Sequence, residues 1–267
     1  MRPLSLALLV ILAACRPIPA DAPATPAPAT TAAPVPADSS AAIQAIVDDP
    51  ARPQSERDLD PGRKPADLLA FLALAPGMKA ADIGAGMGYT TFLLARAVGP
   101  DGRVYAQNPR FVRERFTEPG FSERMATPAF ANVVRVDQEF DQPLPAEVHD
   151  LDLVINFLFY HDTYWMKVDN AAMNRAIFAA LRPGGAYVVV DHSALVGAGS
   201  SGSQTLHRVE ESLVRGEIEA AGFRLAATAD FLRNPADARD WNASPRAAAE
   251  AGRRGQADRF ILKFIKP

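Results

Sequence analysis

The 267-residue chain has one cysteine, Cys15. Without a second thiol there is no intramolecular disulfide, no cysteine nucleophile in the body of the chain and no thiolate zinc site. An excess of one charge is also missing. The 28 Lys and Arg against 31 Asp and Glu leave a net charge of −3, spread along the chain with no basic stripe. Nucleic acid is therefore excluded as the expected partner. There is no internal repeat, and long apolar runs are scarce. The run from Leu4 to Ala14 follows Arg2. It is too short to span a bilayer as a mature helix and has the length of a signal-peptide core.

That run ends in Leu12-Ala13-Ala14-Cys15, which resembles the lipoprotein signal in which small residues precede a lipidated cysteine. The resemblance implies that residues 1–15 are a signal and that Cys15 carries the lipid. The protein is then expected to be periplasmic, lipid-anchored to the cell envelope, and in contact with the membrane through Cys15 alone. "RPIPADAPATPAPATTAAPVPAD" follows, nearly all Pro, Ala and Thr. It can bury almost nothing, so residues 16–40 are expected to be a semi-rigid tether. Residues 41–267 are enough for one core.

Strand and helix signals alternate in this last part. "KAADI", "RVYAQ", "NVVRVD", "LDLVINFLF" and "AYVVVD" read as strands, with "FRLAATA" and "RFILKFIKP" as a closing pair. "PADLLAFLAL", "YTTFLLARAV", "MNRAIFAAL" and "TLHRVEESLVRGEIEAAGF" read as helices. The expected fold is α/β and Rossmann-like, a doubly wound, seven-stranded, mostly parallel sheet with an antiparallel edge strand. The polar insert "DDPARPQSERDLDPGRKP" reads as a solvated surface segment, or as a lid whose arginines meet a carboxylate.

Between the first strand and its helix lies "DIGAGMGYT", residues 82–90. A glycine-rich strand-to-helix turn lets a ligand approach the backbone and the helix N-terminus. The dinucleotide pattern G-x-G-x-x-G fails at Tyr89, and no Walker lysine follows. The pattern present, D-x-G-x-G-x-G, resembles motif I of class I S-adenosylmethionine-dependent methyltransferases. "LRPGGAYVVVD" and "EIEAAGFRL" resemble later landmarks of that family, in the right order. Within it, the chain looks most like a group of exported, methyltransferase-like proteins.

The resemblance implies that S-adenosylmethionine is the cofactor. Asp82, Gly84, Gly86 and Gly88 would line its methionine end, and Tyr89 would add a contact. Gln107 and Asn108 stand where the family usually has an acidic residue on the ribose. Asp137 is placed near the adenine, and Asn156 toward the cofactor.

Three further pairs carry chemistry: His161 and Asp162 after the fourth strand, Asp191 and His192 closing the fifth, and His207 with Arg208. Carboxyl ends of neighbouring parallel strands form the ligand crevice, so these pairs are expected to converge. His161, Asp162, His192 and His207 are the catalytic candidates, with His161 as general base near neutral pH. Phe159, Tyr160, Tyr164 and Trp165 would wall the acceptor pocket. A polar cluster tying strand ends to loops reads the same residues structurally. A metal site has no H-x-x-x-H or similar close spacing to support it, and none is expected. His149 is expected to be structural or solvent-facing. Three functions fit: a methyltransferase acting on a small-molecule acceptor, a non-catalytic module binding a nucleoside or other metabolite, and a hydrolase or isomerase on the same fold.

Overall fold

The computed structural model describes residues 37–267. Cys15, the signal segment and the tether as far as Pro36 lie outside the described residues. Seven strands, β1 (Lys79–Ile83), β2 (Arg103–Gln107), β3 (Val133–Val136), β4 (Leu151–Phe157), β5 (Leu181–His192), β6 (Arg224–Thr228) and β7 (Arg259–Ile265), form one sheet in the order β3-β2-β1-β4-β5-β7-β6. Pairs among β1 to β5 are parallel, whereas β7 runs antiparallel to both β5 and β6. The antiparallel strand is therefore second from the edge, with β6 outermost. Chain order reverses between β1 and β4, which opens a crevice at their carboxyl ends.

Alternation along the central strands covers both faces. Val154, Tyr187, Val189, Phe260, Leu262 and Phe264 point into one core cluster. Leu153, Ile155, Val188, Val190 and Ile261 point into the other. On the second face pack α4 (Pro65–Leu72) and α5 (Tyr89–Val98), through Leu68, Leu72, Leu94 and Val98. The first face takes α9 (Asn170–Ala180) and α11 (Glu211–Ala220), through Met173, Ile177, Val214 and Ile218.

Before α4 come α1 (Ala37–Val47), α2 (Gln54–Arg57) and α3 (Asp60–Arg63). This stretch contains the polar insert, and it is a packed cap. The solvated reading is overturned by its ion pairs. Arg52, 2 % exposed, meets Asp60 through two nitrogens at 2.6 and 2.8 Å. Buried Glu56 pairs with Arg124 of α7 (Gly120–Met125). Between β2 and α7 lies the short α6 (Arg110–Val112).

The long helix expected over residues 205–223 is broken. A short α10 (Ser203–Leu206) ends at His207, whose φ is +50°, before α11 begins. Between them the Val209 N–H donates to His192 O at 3.0 Å, and Val209 O accepts from Ala194 N at 2.9 Å. Strand-like pairing outcompetes the helical ladder there because Arg208 is drawn inward to Asp237, at 2.8 Å.

Asp237 belongs to an insertion between β6 and β7, which includes α12 (Pro245–Glu250). Trp241 Nε1 also donates to Asp237, at 2.7 Å. The sequence offered no element for this segment. The last helix, α8 (Tyr160–Trp165), directly follows β4.

Candidate active site

At the glycine turn, Gly84, Gly86 and Gly88 all have positive φ. A Cβ at Gly84 would lie 2.7 Å from the Phe159 ring, so packing requires glycine there. At Gly86, with φ +57°, nothing lies within 4 Å of such an atom. Backbone conformation requires that glycine, and open space faces it.

Asp82, 1 % exposed, accepts a hydrogen bond from Thr91 Oγ1 at 2.7 Å. Burial pushes its pKa up to about 6, against the hydrogen bonds from Thr91 and the attraction of Arg63. A buried carboxylate held short of full neutralisation is suited to a cationic ligand group. Asn156, level with Ile83 in the sheet, is fully buried, and neither side-chain polar atom has a partner among the described residues. Each orphan of this kind costs on the order of 1–3 kcal/mol. These three features fit the polar methionine end of S-adenosylmethionine.

The remaining residues expected at the cofactor have other partners. Gln107 Oε1 accepts from Gly84 N at 3.0 Å, and its Nε2 donates to Gln138 O at 2.6 Å. Asn108 Oδ1 accepts from Gly86 N at 2.8 Å, and its Nδ2 donates to Gly86 O at 3.0 Å. Both are buried. They brace the turn, a task different from the ribose recognition expected of them. The Tyr89 hydroxyl donates to Asp60 at 2.6 Å, tying the cap to α5, and Asp137 is engaged by Arg113 and Arg135.

The histidine pairs do converge. Leu158, forced to φ +62°, turns the chain out of β4 and starts α8 with His161 buried against β5. One Asp191 oxygen accepts the His161 N–H and the other bonds its Nδ1, each at 2.7 Å. His161 Nε2 lies 3.1 Å from His207 Nδ1 and 3.2 Å from Asp162. Burial opposes charge on His161, but Asp191 and Asp162 outweigh it and raise its pKa to about 10. Asp162 is itself buried, yet His161, His207 and Trp165 hold its carboxyl well below the usual range.

The raised pKa favours the protonated ring, which weighs against the base role expected of His161. His192 Nδ1 faces the His207 carbonyl at 3.1 Å. A carbonyl only accepts, so Nδ1 carries the proton and Nε2 has the free lone pair. Burial, then the cations His161, Arg259 and Arg208, hold this ring well below the ordinary histidine range.

His192 lines a cavity of about 340 Å³ between the cap and the β6–β7 insertion, with Arg63, Leu158, Trp241 and Arg259. Sequence reading missed Arg259 and Trp241, whereas Arg63 belongs to the polar insert whose arginines, in the lid reading, meet a carboxylate. The expected aromatic wall lies elsewhere. Tyr160 is in the core, donating to Glu217 at 2.8 Å, and Phe159 stacks on Phe140. Trp165 packs on Phe111, and the Tyr164 hydroxyl is buried without a partner. His149, exposed and paired with Asp150, stands apart.

Residues 54–109, from the cap through the turn to β2, match the family model described as Protein-L-isoaspartate(D-aspartate) O-methyltransferase. An arsenite methyltransferase of Halobacterium salinarum is 28% identical over 125 residues, 46% of this chain. The match spans 29% of that relative's length. Among solved structures, an S-adenosylmethionine-dependent methyltransferase from Aquifex aeolicus superposes with TM-score 0.55 at 17% identity, over 81% of this chain and 99% of the other. Geranyl diphosphate methyltransferase in complex with S-adenosylmethionine gives 0.56 at 16% identity, over 84% and 95%. The strand order and these likenesses show that the chain has the fold of class I S-adenosylmethionine-dependent methyltransferases.

Proposed function

We propose that the protein is an S-adenosylmethionine-dependent methyltransferase acting on a small-molecule acceptor held in the cavity beside His192. The observation that carries this reading is the turn itself. Gly86 faces open space, Asn156 is buried with neither polar atom partnered among the described residues, and Asp82 is a buried carboxylate bonded to Thr91. When bound, the cofactor supplies an electrophilic methyl group on a sulfonium. The chain's own residues do the rest. Asp82 and Asn156 hold polar groups of the cofactor, and Gln107 and Asn108 keep the turn rigid. His192 Nε2 takes the proton from an acceptor hydroxyl, as a weak base that is neutral and available at neutral pH. His161 fixes the β4 and β5 ends against each other through Asp191.

Arsenite is not favoured as the acceptor. As(III) is thiophilic and soft, and the only cysteine lies in the leading segment, outside the described residues. The match to the isoaspartate methyltransferase model ends at residue 109, short of every element that lines the cavity from β4 onward. It therefore covers the glycine turn and the cap side of the cavity, Arg63 included, but not the side that carries His192 and Arg259. The non-catalytic reading has one observation in its favour, the amides that replace a ribose carboxylate at the end of β2 and are engaged by the turn.

Calorimetric titration of S-adenosylmethionine and its demethylated product into the full chain tests the proposal. Micromolar binding is expected, and loss of it in Gly86→Arg, with Gly86→Ala as a milder variant if the arginine strains the turn. Binding by neither compound to a folded protein overturns the reading. Binding without turnover on any acceptor favours the non-catalytic module.

The chain is further proposed to be exported and lipid-anchored through Cys15, which rests on the leading sequence. Labelled palmitate is expected to enter the wild-type protein and not Cys15→Ser. Equal labelling of both would sink the anchor. An envelope location would require the cofactor, made in the cytoplasm, to be delivered or loaded before export.

A further inference from the structure

Three arginines in the described residues are almost wholly buried: Arg52 at 2 % exposure, Arg208 at 0 % and Arg259 at 4 %. Arg52 and Arg208 each grip a carboxylate with two nitrogens, Asp60 and Asp237 respectively. Arg259 differs. Its Nε donates to Ala257 O at 3.2 Å and an Nη to Gly255 O at 2.9 Å. Among the described residues it forms no ion pair. An isolated buried charge costs several kcal/mol of desolvation, and backbone carbonyls offset only part of that. Such a group is retained where something else supplies the counter-charge.

Arg259 stands at the start of β7, in register with His192 of β5, and both line the cavity. Arg63 lines it too, stacked over the Tyr89 ring at 4.3 Å, again without an ion pair among the described residues. Arg253 and Arg254 lie at its rim. The one acidic residue in the lining is Asp58, which accepts from Gln54 at 2.8 Å. Four guanidinium groups against one carboxylate, with Trp241, Leu158 and Leu59 between them, make a cationic floor under an apolar wall.

We propose that this cavity takes an acceptor bearing a carboxylate or phosphate group, with Arg259 and Arg63 as its anion clamp. The proposal rests on the methyltransferase reading for the word acceptor, and on the cavity alone for the anion. A guanidinium fork matches the two oxygens of a carboxylate or phosphate, while the indole wall takes a flat hydrocarbon body. The specificity filter is one of charge: a neutral analogue of the same shape leaves Arg259 unpaired and pays its desolvation without return.

The experiment compares benzoate, phenyl phosphate and benzamide by ligand-observed NMR, on full-length protein saturated with S-adenosylhomocysteine. Benzoate and benzamide share a shape and differ in charge. Either anion is expected to bind at least about tenfold tighter than benzamide, the usual scale for a hydrogen bond to a charged group. Arg259→Gln is expected to erase that preference, and Arg215→Gln, an exposed arginine of α11, to leave it unchanged. Because the wild-type comparison needs no substitution, a poorly folded Arg259→Gln does not spoil the test. Equal affinity for the three probes, or no binding of any, overturns the proposal. So does anion binding that disappears when the nucleoside is added, because the clamp then serves the cofactor's own carboxylate. Anion-selective binding by a protein that ignores S-adenosylhomocysteine supports the cavity and rejects the methyltransferase reading instead.

Discussion

Asp237→Ala is expected to destabilise the protein by about 3–5 kcal/mol, the cost of leaving a buried cation without its partner. The Arg208–Asp237 pair is inaccessible to solvent on both sides, at 2.8 Å. Asp237 is also the hub of the β6–β7 insertion: it accepts from Trp241 Nε1 at 2.7 Å, Asp258 N at 2.7 Å and Arg239 N at 3.0 Å. Removing it therefore frees Trp241 and the segment leading into Arg259, and the cavity should lose its anion preference along with stability. A double variant, Arg208→Met with Asp237→Leu, is expected to recover much of the stability, since no charge is then left stranded, but not the binding. Urea unfolding of the three proteins checks the first part. A loss below about 1 kcal/mol for Asp237→Ala would show that water reaches the pair and that the insertion is held by other contacts.

The second large effect is expected at Asp82, and its sign depends on pH. Its folded pKa of about 6 stands above the ordinary 3.8. The folded state thus binds the proton more tightly than the unfolded chain does. The folded state is favoured most below about pH 4, and stability falls as pH rises from there through 6, by about 3 kcal/mol in all. Asp82→Asn abolishes this dependence and can still accept from Thr91. Near pH 4 the two proteins should be alike. At pH 7 the variant should be the more stable, by about 3 kcal/mol, a figure that already includes the attraction of Arg63. Cofactor affinity should move the other way and drop at least about tenfold. Opposite effects on stability and binding mark a charge kept for its ligand. Parallel pH curves for the two proteins would mean that Asp82 is solvated and ordinary.

Much of this was legible in the chain before any coordinates. "KAADI", "RVYAQ" and "YTTFLLARAV" coincide with β1, β2 and α5 residue for residue. Each is a short segment whose period and bounding glycines are local properties. The turn between them was legible for the same reason, because its requirement is the backbone conformation of three glycines. The convergence of the histidines also followed, since parallel strands put their carboxyl ends side by side.

What tertiary structure alone decided was pairing. The expected helix from residue 205 broke because Arg208 found Asp237, a partner 29 positions away. The polar insert before α4 was not a solvated face because its charges had companions, one of them at Arg124, in the same fold. Gln107 and Asn108 turned from ribose ligands into braces once the turn lay within reach of their amides. Asp191 and Asp162 together raise the pKa of His161, whereas burial and the cations around it lower that of His192. Arg259 is the sharpest case. In the sequence it is an arginine opening a strand, and only burial beside a cavity, with no ion pair among the described residues, distinguishes it from the other buried arginines. Local periodicity and glycine conformation travel with the residues themselves. Burial, charge pairing and protonation depend on neighbours that the fold brings from elsewhere.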